Sequence, residues 1–365
     1  MKKVLLVFTK TEGAYVGGVL SIINHYLANE REFESHGYVI EHYNYAPSMP
    51  KLYYRLPSKL KNVLYGLQQR RALSRRLKAD PADVVHIHTS REFLFLKDLI
   101  VAKRIARRNH ARVAMTIHVG AYETVFNRIR FAEKWCMKAL NRYVEKVVFL
   151  SDVMKKEFEE KGLDRSRTEL IYNFHNLPVA TSIVKQEGAL RLLFVGAIHR
   201  EKGILELLHA LEILDDPSIT LDVCGTLTDQ SIREEFETLV AKLGNRVTLN
   251  GYVSGEVKSE IFQKADILIL PSYHEGFPLV ILEALAAGCA LISTQVGSTP
   301  EVLSAENVKW VGIGSAEDIA QAIGQYQADP ALLKATQAAN LKLADAFTLK
   351  ANVSKTCSMF DDMLR

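Results

Sequence analysis

Short β-rich apolar runs alternate with amphipathic stretches along this chain. Val4–Phe8 predicts a strand, followed by a glycine-bearing loop and a helix from about Val19 to Ala28. Gly37–Tyr45 predicts a second strand. Val84–His88, Arg112–Ile117 and Lys146–Leu150 follow, each trailed by a helical pattern. After a polar stretch near 173–188 the pattern restarts. Leu190–Val195, Thr220–Cys224, Val247–Leu249, Asp266–Leu270 and Ala290–Ser293 predict strands, separated by helices near 202–214, 229–243, 254–264 and 279–287. Such alternation predicts parallel sheets covered by helices on both faces. The two runs predict an α/β protein of two facing doubly wound domains, residues 1–175 and 188–345. Residues from about 330 to 364 read as helical, and 346–365 are expected to pack back on the first domain. Ligands in such folds sit beyond the carboxyl ends of the strands, so the cleft between the domains is the expected site. No internal repeat or low-complexity segment is visible.

Composition narrows the class. The chain has 365 residues, 48% hydrophobic and 24% charged, which excludes a disordered, collagen-like or disulfide-stapled scaffold. No uninterrupted apolar run approaches the roughly 18–20 residues of a membrane span. The stretch Leu279–Ile292 is broken by Glu283, and Val4–Phe8 is too short for a signal-peptide core. Cys136, Cys224, Cys289 and Cys357 lie far apart with no CxxC pair. That argues against a zinc site and for a reduced, cytoplasmic setting. Charge is uneven. Residues 1–180 hold 31 Lys/Arg against 18 Asp/Glu, and residues 181–365 hold 15 against 24. A basic half joined to an acidic half suggests different tasks.

The most informative segment runs from Pro271 to Gly288, PSYHEGFPLVILEALAAG. It reads strand end, Gly/Pro loop, helix, and a glycine at the helix C-terminus. Pro278 suits the first helical turn. The N–H groups of Gly276 to Val280 then sit at a helix N-terminus, an arrangement suited to a diphosphate. Glu275 lies in the loop and Glu283 about one turn into the helix. A carboxylate accepts two hydrogen bonds from vicinal hydroxyls, so the pair suits a sugar at each end of a diphosphate. Taken alone, Glu275 equally suits the helix dipole, and Glu283 a solvated surface.

The whole segment resembles the E-x7-E signature of the family 4 retaining glycosyltransferases, which have the GT-B fold of two Rossmann-like domains. The match includes the preceding strand from Ala265, the loop Glu275-Gly276-Phe277-Pro278, the helix from Glu283 to Gly288, and the following Val296-Gly297-Ser298-Thr299-Pro300-Glu301-Val302. The resemblance implies that Glu275 contacts the transferred sugar and that Glu283 binds the ribose hydroxyls. It also implies that the loop residues Gly276, Phe277, Pro278 and Leu279 meet the phosphate and sugar. Because Glu283 is not expected to pack in the core, its replacement by alanine should spare the fold.

A second resemblance is Phe194-Val195-Gly196-Ala197-Ile198-His199-Arg200-Glu201-Lys202-Gly203. The family carries an arginine and a lysine here, which hold the diphosphate. Lys202 matches. Ala197 stands in the arginine's place, and Arg200 is the candidate substitute, with a solvated loop charge as the other reading. Gly17-Gly18 resembles the family's N-terminal glycine pair, where backbone approaches phosphate or acceptor; alone it reads as a turn. His118, ending the strand Arg112–Ile117, resembles a histidine that contacts the donor sugar near its reacting centre. His86 and His88 resemble family strand residues, and His86 reads as core. Asn173-Phe174-His175-Asn176 departs from the family's usual Asn-Gly, and no role is transferred there.

Between Glu41 and Asp80 the chain has no acidic residue but nine basic ones: Lys51, Arg55, Lys59, Lys61, Arg70, Arg71, Arg75, Arg76 and Lys78. Pro57-Ser58 reads as a helix start with Ser58 as N-cap. Leu60, Val63, Leu64 and Leu67 then share a face, and Tyr53, Tyr54 and Tyr65 add amphipathic rings. Segment 51–78 suits an anionic membrane surface; an ordinary helix with solvated charges is the alternative. No nucleic-acid recognition motif is visible.

The resemblance implies an enzyme that moves a sugar from a nucleotide-sugar to a hydroxyl of a glycan or lipid-linked glycan, with retention of configuration. Cell-surface polysaccharide or glycolipid synthesis is the expected setting, in the cytoplasm or peripherally on the inner face of the membrane. The catalytic residues would be His118, Lys202 and Glu275. Donor binding would use Gly17, Gly18, Arg200, Lys202, Glu275, Gly276, Phe277, Pro278, Leu279 and Glu283. No metal or other cofactor is expected, since no Asp-x-Asp motif ends a strand. A nucleotide-sugar epimerase of the same fold and a non-catalytic sugar-nucleotide-binding partner remain the alternatives.

Overall fold

The computed structural model describes residues 1–8, 18–44, 58–109, 111–175, 177–180 and 189–365, with only backbone at Gly18 and 58–67. The chain divides into two compact units, Met1–Asn173 with Lys350–Arg365, and Phe174–Leu349. Each is built on a parallel sheet of six strands.

In the first unit the strands are β1 (Lys2–Phe8), β2 (Tyr38–Asn44), β3 (Val84–Thr89), β4 (Arg112–Ile117), β5 (Lys146–Phe149) and β6 (Thr168–Leu170). Their order is β2-β1-β3-β4-β5-β6. The central strands β3 and β4 are buried along nearly their whole length, as expected for a sheet covered on both faces. The helices Glu92–Arg108 and Glu133–Tyr143 supply Leu99, Ile105 and Leu140 to one side of the core. Residues 350–365, nearly all of the helix Leu349–Leu364, belong to this unit. There Asn352 accepts a hydrogen bond from the Tyr26 hydroxyl at 2.5 Å, and Asp361 one from Tyr38 at 2.7 Å.

The second unit holds β7 (Leu190–Val195), β8 (Ile219–Cys224), β9 (Val247–Gly251), β10 (Ile267–Leu270), β11 (Ala290–Thr294) and β12 (Val308–Val311). Their order is β12-β11-β10-β7-β8-β9. The chain builds outward from β7 in one direction, then returns to β7's other side with β10. The gap between the ends of β7 and β10 is therefore the topological switch point, where open α/β sheets bind ligands.

The expected helical run 330–364 is two helices. Pro330–Ala344 stays in the second unit, with Asp329 capping its first amides; a short 3₁₀ turn, Asp345–Phe347, ends it. Strands β6 and β12 and the helix Ala316–Ala328 are additions to the predicted elements. Among the described residues no helix is long and apolar enough to cross a membrane. All four cysteines are buried, and none is in a disulfide.

Candidate functional site

The switch point of the second unit gathers Lys202 and Glu275. After β7 the chain makes a 3₁₀ turn, Arg200–Lys202, which ends at Gly203 with φ +69°. A Cβ at Gly203 would lie 2.1 Å from the Pro271 carbonyl oxygen, so only glycine lets this turn close on the end of β10. The Tyr273 amide donates to the Glu201 carbonyl at 2.8 Å and ties the two loops together. Lys202 Nζ then donates to Glu275 Oε1 at 2.6 Å, and Ser272 Oγ donates to the same oxygen at 2.8 Å. The Glu275 side chain is 11% exposed and that of Lys202 25%. The carboxylate is thus fixed by two donors, and among the described residues Glu275 engages one of the three ammonium donors of Lys202.

The loop after β11 supports Glu275 from the other side. Ser298 donates from its amide and its hydroxyl to the Gly276 carbonyl, at 2.9 and 3.0 Å. Gly297, at φ +59°, approaches so closely that a Cβ would lie 2.3 Å from that carbonyl oxygen. The segment Val296–Val302 therefore acts as a backbone brace. Phe277 is buried and faces Phe347 with ring centroids 6.0 Å apart. Pro278 is the N-cap of the helix Leu279–Ala286, in extended conformation, one position before the first turn that the sequence suggested. Leu279 and Val280 open that helix, so their amides have no acceptor within it.

Glu283 is not a solvated surface residue. It is buried, at 6% relative exposure, and its Oε1 accepts from Lys258 Nζ at 2.5 Å. The apolar helix around it, Leu279–Ala286, is almost wholly inside the unit and carries Glu283 in with it. Burial pushes the Glu283 carboxyl above its ordinary range, and Lys258 opposes that shift. Lys258 comes from the helix Gly255–Lys264 and was not singled out from the sequence, where it is one of many surface-type lysines.

Arg200 is not brought to this cluster. Its guanidinium pairs with Glu235 at 3.3 Å and its side chain is 56% exposed. Its partner Glu235 lies on the helix Arg233–Leu243, whereas Lys202 pairs with Glu275.

In the first unit His118 follows β4, with its amide bonded to the Thr89 carbonyl at 2.9 Å. Its Nε2 lies 2.9 Å from His88 Nδ1, and the two rings are 25° from parallel with centroids 5.2 Å apart. His86 lies beneath His88, at 4.3 Å between centroids, and bonds Thr116 Oγ1 at 2.7 Å. Burial, and after it His118, depress His86 to about 3; burial depresses His118 to about 4. The imidazoles are therefore neutral near pH 7. Gly18 opens the helix Gly18–Ala28; Gly17 lies outside the described residues.

The basic segment is described only in part. The helix spans Ser58–Ala79, so Ser58 is its first helical residue rather than its cap. Residues 51–57, including Pro57, and the side chains of 58–67 lie outside the description. Leu73 and Leu77 are buried against the unit, while Arg71, Arg75 and Lys78 are exposed. Arg76 is engaged within the fold, paired with Glu41 at 2.7 Å and with Asp80 at 2.6 Å.

Two doubly wound units of this topology define a protein of the GT-B type. The fold of a solved Anabaena protein, Alr3699/HepE in complex with UDP, matches with a TM-score of 0.74 over 99% of this chain and 100% of that one, at 16% identity. The family "Glycosyl transferases group 1" matches residues 180–342, and "Glycosyltransferase Family 4" matches 28–177. The chain belongs to the family 4 glycosyltransferases. An uncharacterized 41.2 kDa protein in the cps region of Klebsiella pneumoniae is 25% identical over 79% of this chain and 80% of its own length. The alpha-galactosylglucosyldiacylglycerol synthase of Streptococcus pneumoniae is 25% identical over 69% and 70%.

Proposed function

We propose that this glycosyltransferase moves a sugar from a nucleotide-sugar to a hydroxyl of a glycan or lipid-linked glycan, with retention of configuration and without a metal ion. The observation that carries this reading is the contact of Lys202 with Glu275 at the switch point, 2.6 Å, braced by Ser272. In this reading the other donors of Lys202 and the amides at the start of the helix Leu279–Ala286 take the diphosphate. They stabilise the negative charge that develops as it leaves. Glu275 holds the transferred sugar, Glu283 the ribose hydroxyls, and His118 the sugar near its reacting centre. The residues Gly276, Phe277, Pro278 and Leu279 shape the loop, and Gly17 and Gly18 the approach to phosphate.

The UDP in the Anabaena structure supports a uridine nucleotide, and the Streptococcus pneumoniae synthase supports a lipid acceptor. A peripheral place on the inner face of the membrane follows from that acceptor and from the basic helix Ser58–Ala79.

The test is incubation with labelled UDP-, GDP- and ADP-sugars, with and without lipid and glycan acceptors, in EDTA and in magnesium. Transfer of label to an acceptor with the donor's anomeric configuration, unchanged by EDTA, is the expected result. Isomerised nucleotide-sugar without acceptor would mean an epimerase. Binding without turnover would mean a partner protein. Lys202→Ala should lower kcat at saturating donor more than it weakens donor binding.

A further inference from the structure

We propose that His88 is a positioning residue that fixes His118 in the tautomer protonated at Nδ1, so that His118 meets the transferred sugar as a hydrogen-bond donor. The inference rests on the reading of His118 as a sugar contact.

The geometry leaves one proton to place. His88 Nδ1 and His118 Nε2 are 2.9 Å apart, a distance that needs a hydrogen on one of them. The other nitrogen of His88, Nε2, is buried with no hydrogen-bond partner among the described residues. If the His88 proton sat on Nε2, an N–H donor would be buried with nothing among the described residues to accept it, which folded proteins rarely tolerate. With the proton on Nδ1, His88 spends its only donor on His118, and a bare lone pair is left inside. His118 Nε2 then accepts, and its own proton must be on Nδ1.

The surroundings hold this arrangement. His88 is wedged between the rings of His118 and His86. His86 is anchored by Thr116 Oγ1 and by the Phe360 ring, 5.6 Å away in a T-shaped contact. The His118 backbone is pinned to Thr89. Burial keeps all three imidazoles neutral, so neither partner of the pair carries a second proton.

The test is long-range ¹H–¹⁵N correlation of the imidazoles in the full-length protein at pH 7.5, with His118→Gln identifying the His118 signals. The wild type should show His118 protonated at Nδ1 and bare at Nε2. His88→Leu should move His118 toward the Nε2–H form that a free imidazole prefers, and lower kcat about tenfold at saturating donor. His88→Asn, whose amide nitrogen can donate from the place of Nδ1, should restore both. A wild-type His118 protonated at Nε2 overturns the tautomer assignment, even if His88→Leu fails to fold. The assigned tautomer together with full kcat in His118→Gln overturns the positioning role along with the sugar contact.

Discussion

Lys258 Nζ and Glu283 Oε1 lie 2.5 Å apart, joining two helices of the second unit through a buried charge pair. One partner is nearly sealed from water, while the Lys258 side chain keeps 23% exposure. The pair sets a carboxylate inside the fold against one partly exposed cation.

Removing the cation should be costly. Lys258→Ala leaves the buried Glu283 charge without its partner, a loss of about 3 kcal/mol or more. Chemical denaturation at pH 7 should show the lowered midpoint. Lys258→Arg should retain most of the stability.

Glu283→Gln should separate binding from stability. It should weaken nucleotide-sugar binding by about 1.5–3 kcal/mol, the worth of hydrogen bonds to a charged group, as read by calorimetry. Its effect on pH dependence has a definite sign. The native carboxyl titrates above its unfolded value of 4.5, so the native state holds more protons in that window. Wild-type stability therefore falls as pH rises through the native pKa, and the glutamine variant lacks that decline. The advantage of Gln over Glu should grow with pH by up to about 1.4 kcal/mol per unit within the window. A pH-independent difference would mean that Glu283 stays ionised when buried.

Gly203→Ala should damage the site through the backbone. It places an L-residue at φ +69° and a Cβ against the Pro271 carbonyl. The left-handed conformation alone costs about 1–2 kcal/mol, before the overlap is relieved. A lowered melting temperature with loss of donor binding is expected. An unchanged melt would show that the turn can move off β10 freely.

The arginines of the basic helix should govern membrane attachment. Arg70→Glu, Arg71→Glu and Arg75→Glu together should abolish sedimentation with anionic vesicles, each basic residue contributing about 1 kcal/mol. Arg76 is left in place because Glu41 and Asp80 already hold it. Attachment of the wild type should weaken with salt, over a Debye length of about 8 Å at physiological ionic strength. Wild-type protein that stays in the supernatant at low salt would sink the idea.

Most of the fold was legible because its strands are apolar and buried on both faces. Arg112–Ile117 and Leu190–Val195 coincide with the predicted runs. Strands β6 and β12 escaped notice because they are short and carry Glu169 and Lys309. Of the candidate site, the loop positions of Glu275 and Lys202 were legible, because each follows an apolar strand. The site was not legible where a partner arrives from elsewhere. Nothing near Lys258 announces Glu283, since 25 residues separate them. The buried state of Glu283 was hidden in the same way, because polarity argues for solvent until the neighbouring helix is known. Arg200 pairs with Glu235, 35 residues away, a partner that sequence distance does not reveal.

The inclusion of Lys350–Arg365 in the first unit bears on how the protein is made. Domains commonly complete themselves in the order in which they leave the ribosome. Here the first unit to emerge is the last to be finished. The hydroxyls of Tyr26 and Tyr38 meet Asn352 and Asp361 only after the whole intervening unit has been synthesised. Until then Tyr38 of β2 and His86 of β3 lack the Phe360 ring that packs on them. The second unit, continuous from Phe174 to Leu349, has no such wait.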